Sequence, residues 1–206
     1  MQVILASASP ARLSVLRAAG LDPLVEVSDV DEDAVLDSLP GASPAHAVTA
    51  LARAKAHAVA RRLGSTNAVL IGCDSMLSIG GELVGKPGTV EVARARWARM
   101  AGRTGELVTG HAVLRLSAGD IVDEAAAHAG TTVRFGSPSE AELDAYLNSG
   151  EPLAVAGAFT LDGLGGWFVD GIDGDPSTVI GISLPLTRTL LAKVGVVVTD
   201  LWKSRD

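Results

Sequence analysis

The chain has 206 residues, 48% of them hydrophobic and 20% charged, which excludes collagen-like, coiled-coil and disordered classes. Its 24 acidic residues outnumber 17 Lys and Arg for a formal charge of −7, and without a basic run that argues against a dedicated nucleic-acid binder. The single cysteine excludes a disulfide framework and a Cys-based zinc site, and His46, His57, His111 and His128 show no zinc-binding spacing.

Residues 2–6 read as a buried first strand. They lack the basic flank of a signal peptide, and no apolar run reaches the ~18 residues of a membrane span. The expectation is therefore a cytoplasmic protein without membrane partners. Ser9 then reads as an N-cap and Pro10 as the first helical residue, with Gly20 ending the helix. Residues 21–42 are mixed and carry the acids Asp29, Asp31, Glu32 and Asp33. Ser43-Pro44 starts a second helix predicted to run to about Leu63. Residues 68–73 are continuously apolar, as in a central strand.

Residues 75–84 read as strand, Gly80-Gly81 turn, strand. A helix is predicted from Thr89 to near Gly102, then two or three strands over 106–135. Ser137-Pro138-Ser139-Glu140 suggests a capping box for a helix ending at Gly150. Residues 157–182 read as Gly-rich and extended, with hairpin signals at Asp173-Gly174, and a last helix spans about 184–194. This interleaving predicts an α/β fold, a mixed sheet with flanking helices.

Asp74 follows the apolar strand directly. A carboxylate there is a metal ligand or general base, or else a turn-capping residue. Its neighbour Cys73 should face the other way and act as a small buried hydrophobe. On the second helix, Val48, Leu51, Ala52, Val59 and Leu63 form one apolar stripe, and Lys55 lies in its middle. A lysine there must snorkel out or meet an anion. Arg53, His57 and Arg61 fall on the polar face and read as solvated.

The first helix start gathers Ser7, Ser9 and Arg12, which together with free backbone N–H groups suit a phosphate, though the segment alone also reads as an ordinary Ser-Pro helix start. Gly80 to Lys86 spells G-x-x-x-x-G-K, but Pro87 replaces the metal-binding hydroxyl and the segment crosses a hairpin, so the kinase or GTPase reading is rejected. Lys86 remains a candidate cation. No Gly-x-Ser-x-Gly supports a serine hydrolase. The aromatics show no stacking pattern for single strands and read mostly as core.

Six segments in order are LASASPARLSVLRAAG (5–20), SDVDED (28–33), ARAKAHAVA (52–60), IGCDSMLSIGGELVGKP (71–87), AGRTGELVTG (101–110) and GEPLAVAGAFTLDGLGGWFVDGIDGDPSTVIGISLP (150–185). Together they resemble the Maf family of nucleoside triphosphate pyrophosphatases. The resemblance implies one domain over 1–206 and an elongated mixed sheet with two lobes around a cleft, similar to inosine triphosphate pyrophosphatases. It implies cleavage of a nucleoside triphosphate between the α- and β-phosphates, a divalent cation (Mg²⁺ or Mn²⁺), and a homodimer. Housecleaning of non-canonical nucleotides follows as an expectation. The alternative is a non-catalytic nucleotide-binding regulator of septum formation.

Carried over by position, Asp74 corresponds to the catalytic acid, Lys55 and Lys86 to the family's two lysines, and Glu32 to its acidic-segment Glu. Glu32 and Asp74 are the implied metal ligands. Arg12 corresponds to the second Arg of a Ser-Pro-Arg-Arg motif whose first Arg is Ala11 here. Ser7, Ser9, Ser75 and Asp162 complete the implied substrate contacts. Asp162 replaces a Gln and Ser75 a Thr, changes that bear on the nucleobase.

Overall fold

In the computed structural model, residues 1–203 are described. Residues 204–206 of the expected single domain lie outside them. The strands are β1 (Gln2–Ala6), β2 (Leu24–Val25), β3 (Ala68–Ile79), β4 (Glu82–Val84), β5 (Thr104–Ser117), β6 (Asp120–Phe135) and β7 (Val169–Asp173). They form one seven-stranded sheet of order β2-β1-β3-β5-β6-β7, with β4 paired to β3. The β1–β2 and β1–β3 pairs are parallel, the β3–β4 and β6–β7 pairs antiparallel. The expected mixed sheet with flanking helices is therefore present. The helices are α1 (Pro10–Ala18), α2 (Glu32–Asp37), α3 (Pro44–Ala60), α4 (Val90–Met100), α5 (Glu140–Asn148), α6 (Pro176–Ile180) and α7 (Leu184–Lys193).

The chain divides into two compact units. The first comprises Met1–Asp74, Thr109–Ala129 and the chain from Gly181 onward; the second comprises Ser75–Val108 and Gly130–Ile180. In the first, strand alternation sorts side chains onto two faces. Val3, Leu5, Val69, Ile71 and Cys73 pack with Leu16 of α1 and Leu190 and Leu191 of α7. Ile4, Ala6, Ala68 and Leu70 pack with Ala52, Ala56 and Val59 of α3. Gly72 lets α3 lie directly on β3, because a Cβ there would meet the Ala52 carbonyl oxygen at 2.4 Å. Gly110 does the same on β5, where a Cβ would lie 2.1 Å from the Val48 carbonyl oxygen.

The second unit has its own core, built on Trp97 of α4 with Phe135, Tyr146 and Phe159. The Trp97 ring meets Phe135, Tyr146 and Phe168 edge to face. Its indole N–H donates to the Ala158 carbonyl at 2.8 Å, so this polar edge is satisfied in the core.

Several local expectations change. Asp74 lies within β3, not beyond its end, so it caps no turn. The β1 pairing stops at Gly72 and the β4 pairing starts at Leu77, which leaves Asp74 in the stretch paired with neither. Residues 21–42 contain β2 and α2; Asp31 caps α2 by accepting from the Ala34 N–H at 3.0 Å. The capping box is formed by Ser139 and Glu142, since the reciprocal partner must lie three residues on. Residues 157–182 are not one extended segment. They hold 3₁₀ turns at Ala156–Ala158 and Leu164–Phe168, then β7, and Pro176 starts α6 where a hairpin strand was expected. Trp167 and Trp202 are exposed, not core.

Candidate active site

Asp74 shares strand parity with Leu70 and Gly72, so it faces α3, and Lys55 lies one helical turn beyond Leu51 and Ala52 on the buried stripe. Lys55 and Asp74 are 7% and 6% exposed, so the lysine side chain is buried and does not extend into solvent. The lysine meets an anion instead. Its Nζ lies 2.5 Å from Asp74 Oδ1 and 2.7 Å from Glu32 Oε1. Glu32 is the first residue of α2 and half exposed, so the ammonium links a buried carboxylate to a solvated one.

Burial pushes the Asp74 carboxyl above the usual carboxylate range. Attraction to Lys55 and Arg12 pulls it back, and the Glu32 charge adds to the rise. Cys73 points to the other face, where burial raises its thiol to about 12, so it is a small hydrophobe and no nucleophile.

Arg12 sits in the first turn of α1. Its Nε donates to the Gly181 carbonyl at 2.7 Å and Nη1 donates to Ser7 Oγ at 3.0 Å. Ser9 caps the helix by accepting from the Arg12 N–H at 3.4 Å, and Ser7 Oγ accepts from the Ser9 N–H at 3.2 Å. Ser7, Ser9 and Arg12 therefore form one hydroxyl-guanidinium group at a helix N-terminus.

Lys86 and Asp162 belong to the second unit, where both are exposed and Ser75 is half-buried. The turn carrying Lys86 is fixed through its backbone. Arg96 Nη1 donates to the Gly85 carbonyl at 2.5 Å, the Gly88 N–H donates to Leu153 O at 3.0 Å, and the Gly157 N–H donates to Gly85 O at 3.1 Å. The loop carrying Asp162 is gathered by Glu151. That carboxylate accepts from Thr160 Oγ1 at 2.5 Å and from the Leu164 and Gly165 N–H groups at 3.1 Å each. Burial raises the Glu151 carboxyl, but these donors outweigh it and hold the group below its ordinary value.

Arg53 stays exposed as expected, His57 is half-buried, and both meet one carboxylate. Arg53 Nε and His57 Nε2 lie 2.8 and 2.9 Å from the two oxygens of Glu124 on β6. The sequence reading missed Arg62 and Glu151. Arg62 donates to the Val27 carbonyl, to Ser28 O at 3.3 Å and to Asp29 Oδ2 at 3.2 Å, holding the acidic segment where Asp29 adopts φ 52°. Neither residue could be found from periodicity, since both act on backbone groups of loops.

Among the described residues, no group of three or more His, Cys, Asp or Glu could hold a metal ion. The pair Glu32 and Asp74 nevertheless converges on one point, the Lys55 ammonium, and presents hard carboxylate oxygens. Such a pair suits Mg²⁺, which is commonly held by one or two carboxylates together with substrate phosphates.

The family model described as Maf-like protein matches residues 2–194. The chain belongs to the Maf-like family. Curated relatives of this Maf-like chain include a nucleoside triphosphate pyrophosphatase of Nocardia farcinica, 65% identical over 98% of this chain and 96% of the relative. Others so named are from Rhodococcus jostii (63%; 98% and 96%) and Saccharopolyspora erythraea (62%; 98% and 97%). A solved dITP/XTP pyrophosphatase from Mycobacterium abscessus is 17% identical, with a TM-score of 0.36 over 66% of this chain and 73% of that one, too slight a likeness to bear on function. No helix among the described residues is long and apolar enough to cross a membrane.

Proposed function

We propose that this chain is a nucleoside triphosphate pyrophosphatase. It hydrolyses a nucleoside triphosphate between the α- and β-phosphates, releasing a nucleoside monophosphate and pyrophosphate. The observation that carries the mechanism is Asp74. It is a buried carboxylate held above its ordinary pKa, with Lys55 in contact and the charge of Arg12 acting on it. The near-full-length relatives bearing that name support the reaction class.

Asp74 orients the attacking water and takes its proton, a role favoured by a pKa moved toward neutrality. Lys55 and Arg12 neutralise the charge that develops on the phosphates. Ser7 and Ser9 add donors for phosphate oxygens at the α1 N-terminus. Lys86, by its correspondence to the family's second lysine, is assigned to neutralising the leaving pyrophosphate. By the same positional correspondence, Asp162 and Ser75 are assigned to nucleotide recognition. Glu32 and Asp74 would hold Mg²⁺ or Mn²⁺, which supplies Lewis-acid neutralisation of phosphate oxygens when bound.

The reading extends to residues 1–206 acting as one catalytic domain, to cytoplasmic nucleotide pools as the site of action, to a homodimer, and to non-canonical nucleotides as targets. Incubating the pure protein with a panel of standard and base-modified triphosphates, with Mg²⁺ or Mn²⁺, tests it. Equimolar monophosphate and pyrophosphate are expected. Nucleoside diphosphate with inorganic phosphate would refute the bond assignment, and binding without turnover would favour the septum-formation regulator.

A further inference from the structure

His111 lies in the middle of β5 and is completely buried. The Ser183 N–H lies 2.8 Å from its Nε2, and the Thr109 carbonyl oxygen lies 3.1 Å from its Nδ1. A backbone N–H can only donate and a carbonyl can only accept. The ring is therefore the neutral tautomer with its proton on Nδ1 and Nε2 accepting. Ser183 is also the N-cap of α7, its Oγ accepting from the Leu186 N–H at 3.2 Å. Two residues before Ser183, Gly181 adopts φ 120°, a conformation open to glycine, and its carbonyl accepts the Arg12 Nε–H.

We propose that His111 is a positioning residue for the reaction: by accepting the Ser183 N–H it fixes the turn whose Gly181 carbonyl aims the Arg12 guanidinium at phosphate. This rests on the reading of Arg12 as a phosphate-binding cation. The chain His111–Ser183–Gly181–Arg12 lies within one unit. A guanidinium held at Nε by a carbonyl is restricted in direction, which is what charge-assisted binding of a phosphate needs.

The test is a double-mutant cycle read by calorimetric titration of inorganic pyrophosphate into the native protein, Arg12→Ala, His111→Leu and the double variant. Arg12→Ala is expected to weaken binding roughly ten- to a hundredfold, the size of a lost charged hydrogen bond. His111→Leu should reproduce part of that loss, and the double variant should bind no more weakly than Arg12→Ala. His111→Gln, which keeps an acceptor, should restore binding. Additive losses would overturn the inference while leaving Arg12 in its role. No loss with Arg12→Ala would remove the reading of Arg12 and the inference with it.

If His111→Leu fails to fold, the same bond is removed from the other side. Ser183→Pro lacks the N–H and suits the observed φ of −71°, whereas Ser183→Ala loses only the cap. Weaker pyrophosphate binding by the proline variant than by the alanine variant supports the proposal. Equal binding overturns it.

Discussion

In the first unit Lys55 and Asp74 are buried and held by each other's charge. In the second, Lys86 and Asp162 are exposed, and it is the backbone beneath them that is fixed, by Arg96 and by Glu151. The difference concerns what fixes a functional side chain. A charge locked to other charges is positioned at the expense of desolvation, so changing it disturbs stability and chemistry together. A charge on a locked loop keeps its water, so changing it disturbs binding alone.

The largest expected effect falls on the buried side. Asp74→Asn keeps the size and removes the proposed base, so kcat for pyrophosphate release should fall by roughly 10²- to 10⁴-fold, the range for a positioned base. Circular dichroism should stay native. Near-normal turnover in a folded variant would take Asp74 out of the catalytic role.

Lys55→Met sharpens the comparison, because the lysine's partners are the protein's own acids and not phosphate alone. From its helical position alone, Met would be expected to fold as well as Lys, sparing desolvation of an ammonium. The contact with Asp74 reverses that expectation, since Met leaves a buried carboxylate without its nearest cation. Breaking such a pair from one side costs up to about 3–5 kcal/mol, read as a lower Tm at neutral pH. Combining Lys55→Met with Asp74→Asn should recover most of the loss. A Tm for Lys55→Met equal to the native value would show that the pair does not carry stability.

The raised Asp74 pKa gives a pH signature with a definite sign. A base works only when ionised, so kcat/KM should fall on the acid side, with a midpoint above the ordinary Asp value. For stability, the folded carboxyl binds a proton that the unfolded chain has already released. The contribution of Asp74 to stability is therefore favourable when protonated and is lost as pH rises through that interval. An acid limb at or below the ordinary Asp value would contradict the environment described.

Much of the scaffold was legible in the sequence because it rests on local rules. Ser9-Pro10 and Ser43-Pro44 mark helix starts that their caps bear out, and the apolar run at 68–73 is indeed the central strand β3. Lys55 in an apolar stripe left two outcomes, snorkelling or an anion, and it meets two anions. Illegible were contacts made across long separations to backbone groups: Arg62 on residues 27–29, Glu151 on residues 160–165, and the Gly181 carbonyl on Arg12. Nothing in the periodicity of a segment says which distant carbonyl its arginine will meet. Helix α2 was hidden because its six residues are too few to show a period. Its cap Asp31 lay within an acidic run that reads equally as a loop.

The smallest effect on the fold is expected at Asp162, where the two kinds of site part most clearly. Asp162 is exposed, and its loop is held by Glu151 through Thr160, Leu164 and Gly165, so Asp162→Gln removes none of the bonds that shape the loop. The Tm should not move measurably, as for surface substitutions away from caps and buried pairs. What changes is chemistry: a carboxylate only accepts, whereas an amide both donates and accepts. If Asp162 meets the base, the ranking of triphosphates by kcat/KM should change while the metal requirement stays the same, because a donor facing the wrong partner is rejected far more strongly than a missing apolar contact. A panel of standard and base-modified triphosphates on native and Asp162→Gln protein measures this. A uniform loss across the panel would assign Asp162 to phosphate or fold, and an unchanged ranking would place base reading elsewhere. Glu151→Gln is the matched control: it leaves Asp162 in place but weakens its loop, so it should lower Tm while its effect on kcat/KM spreads over every base alike.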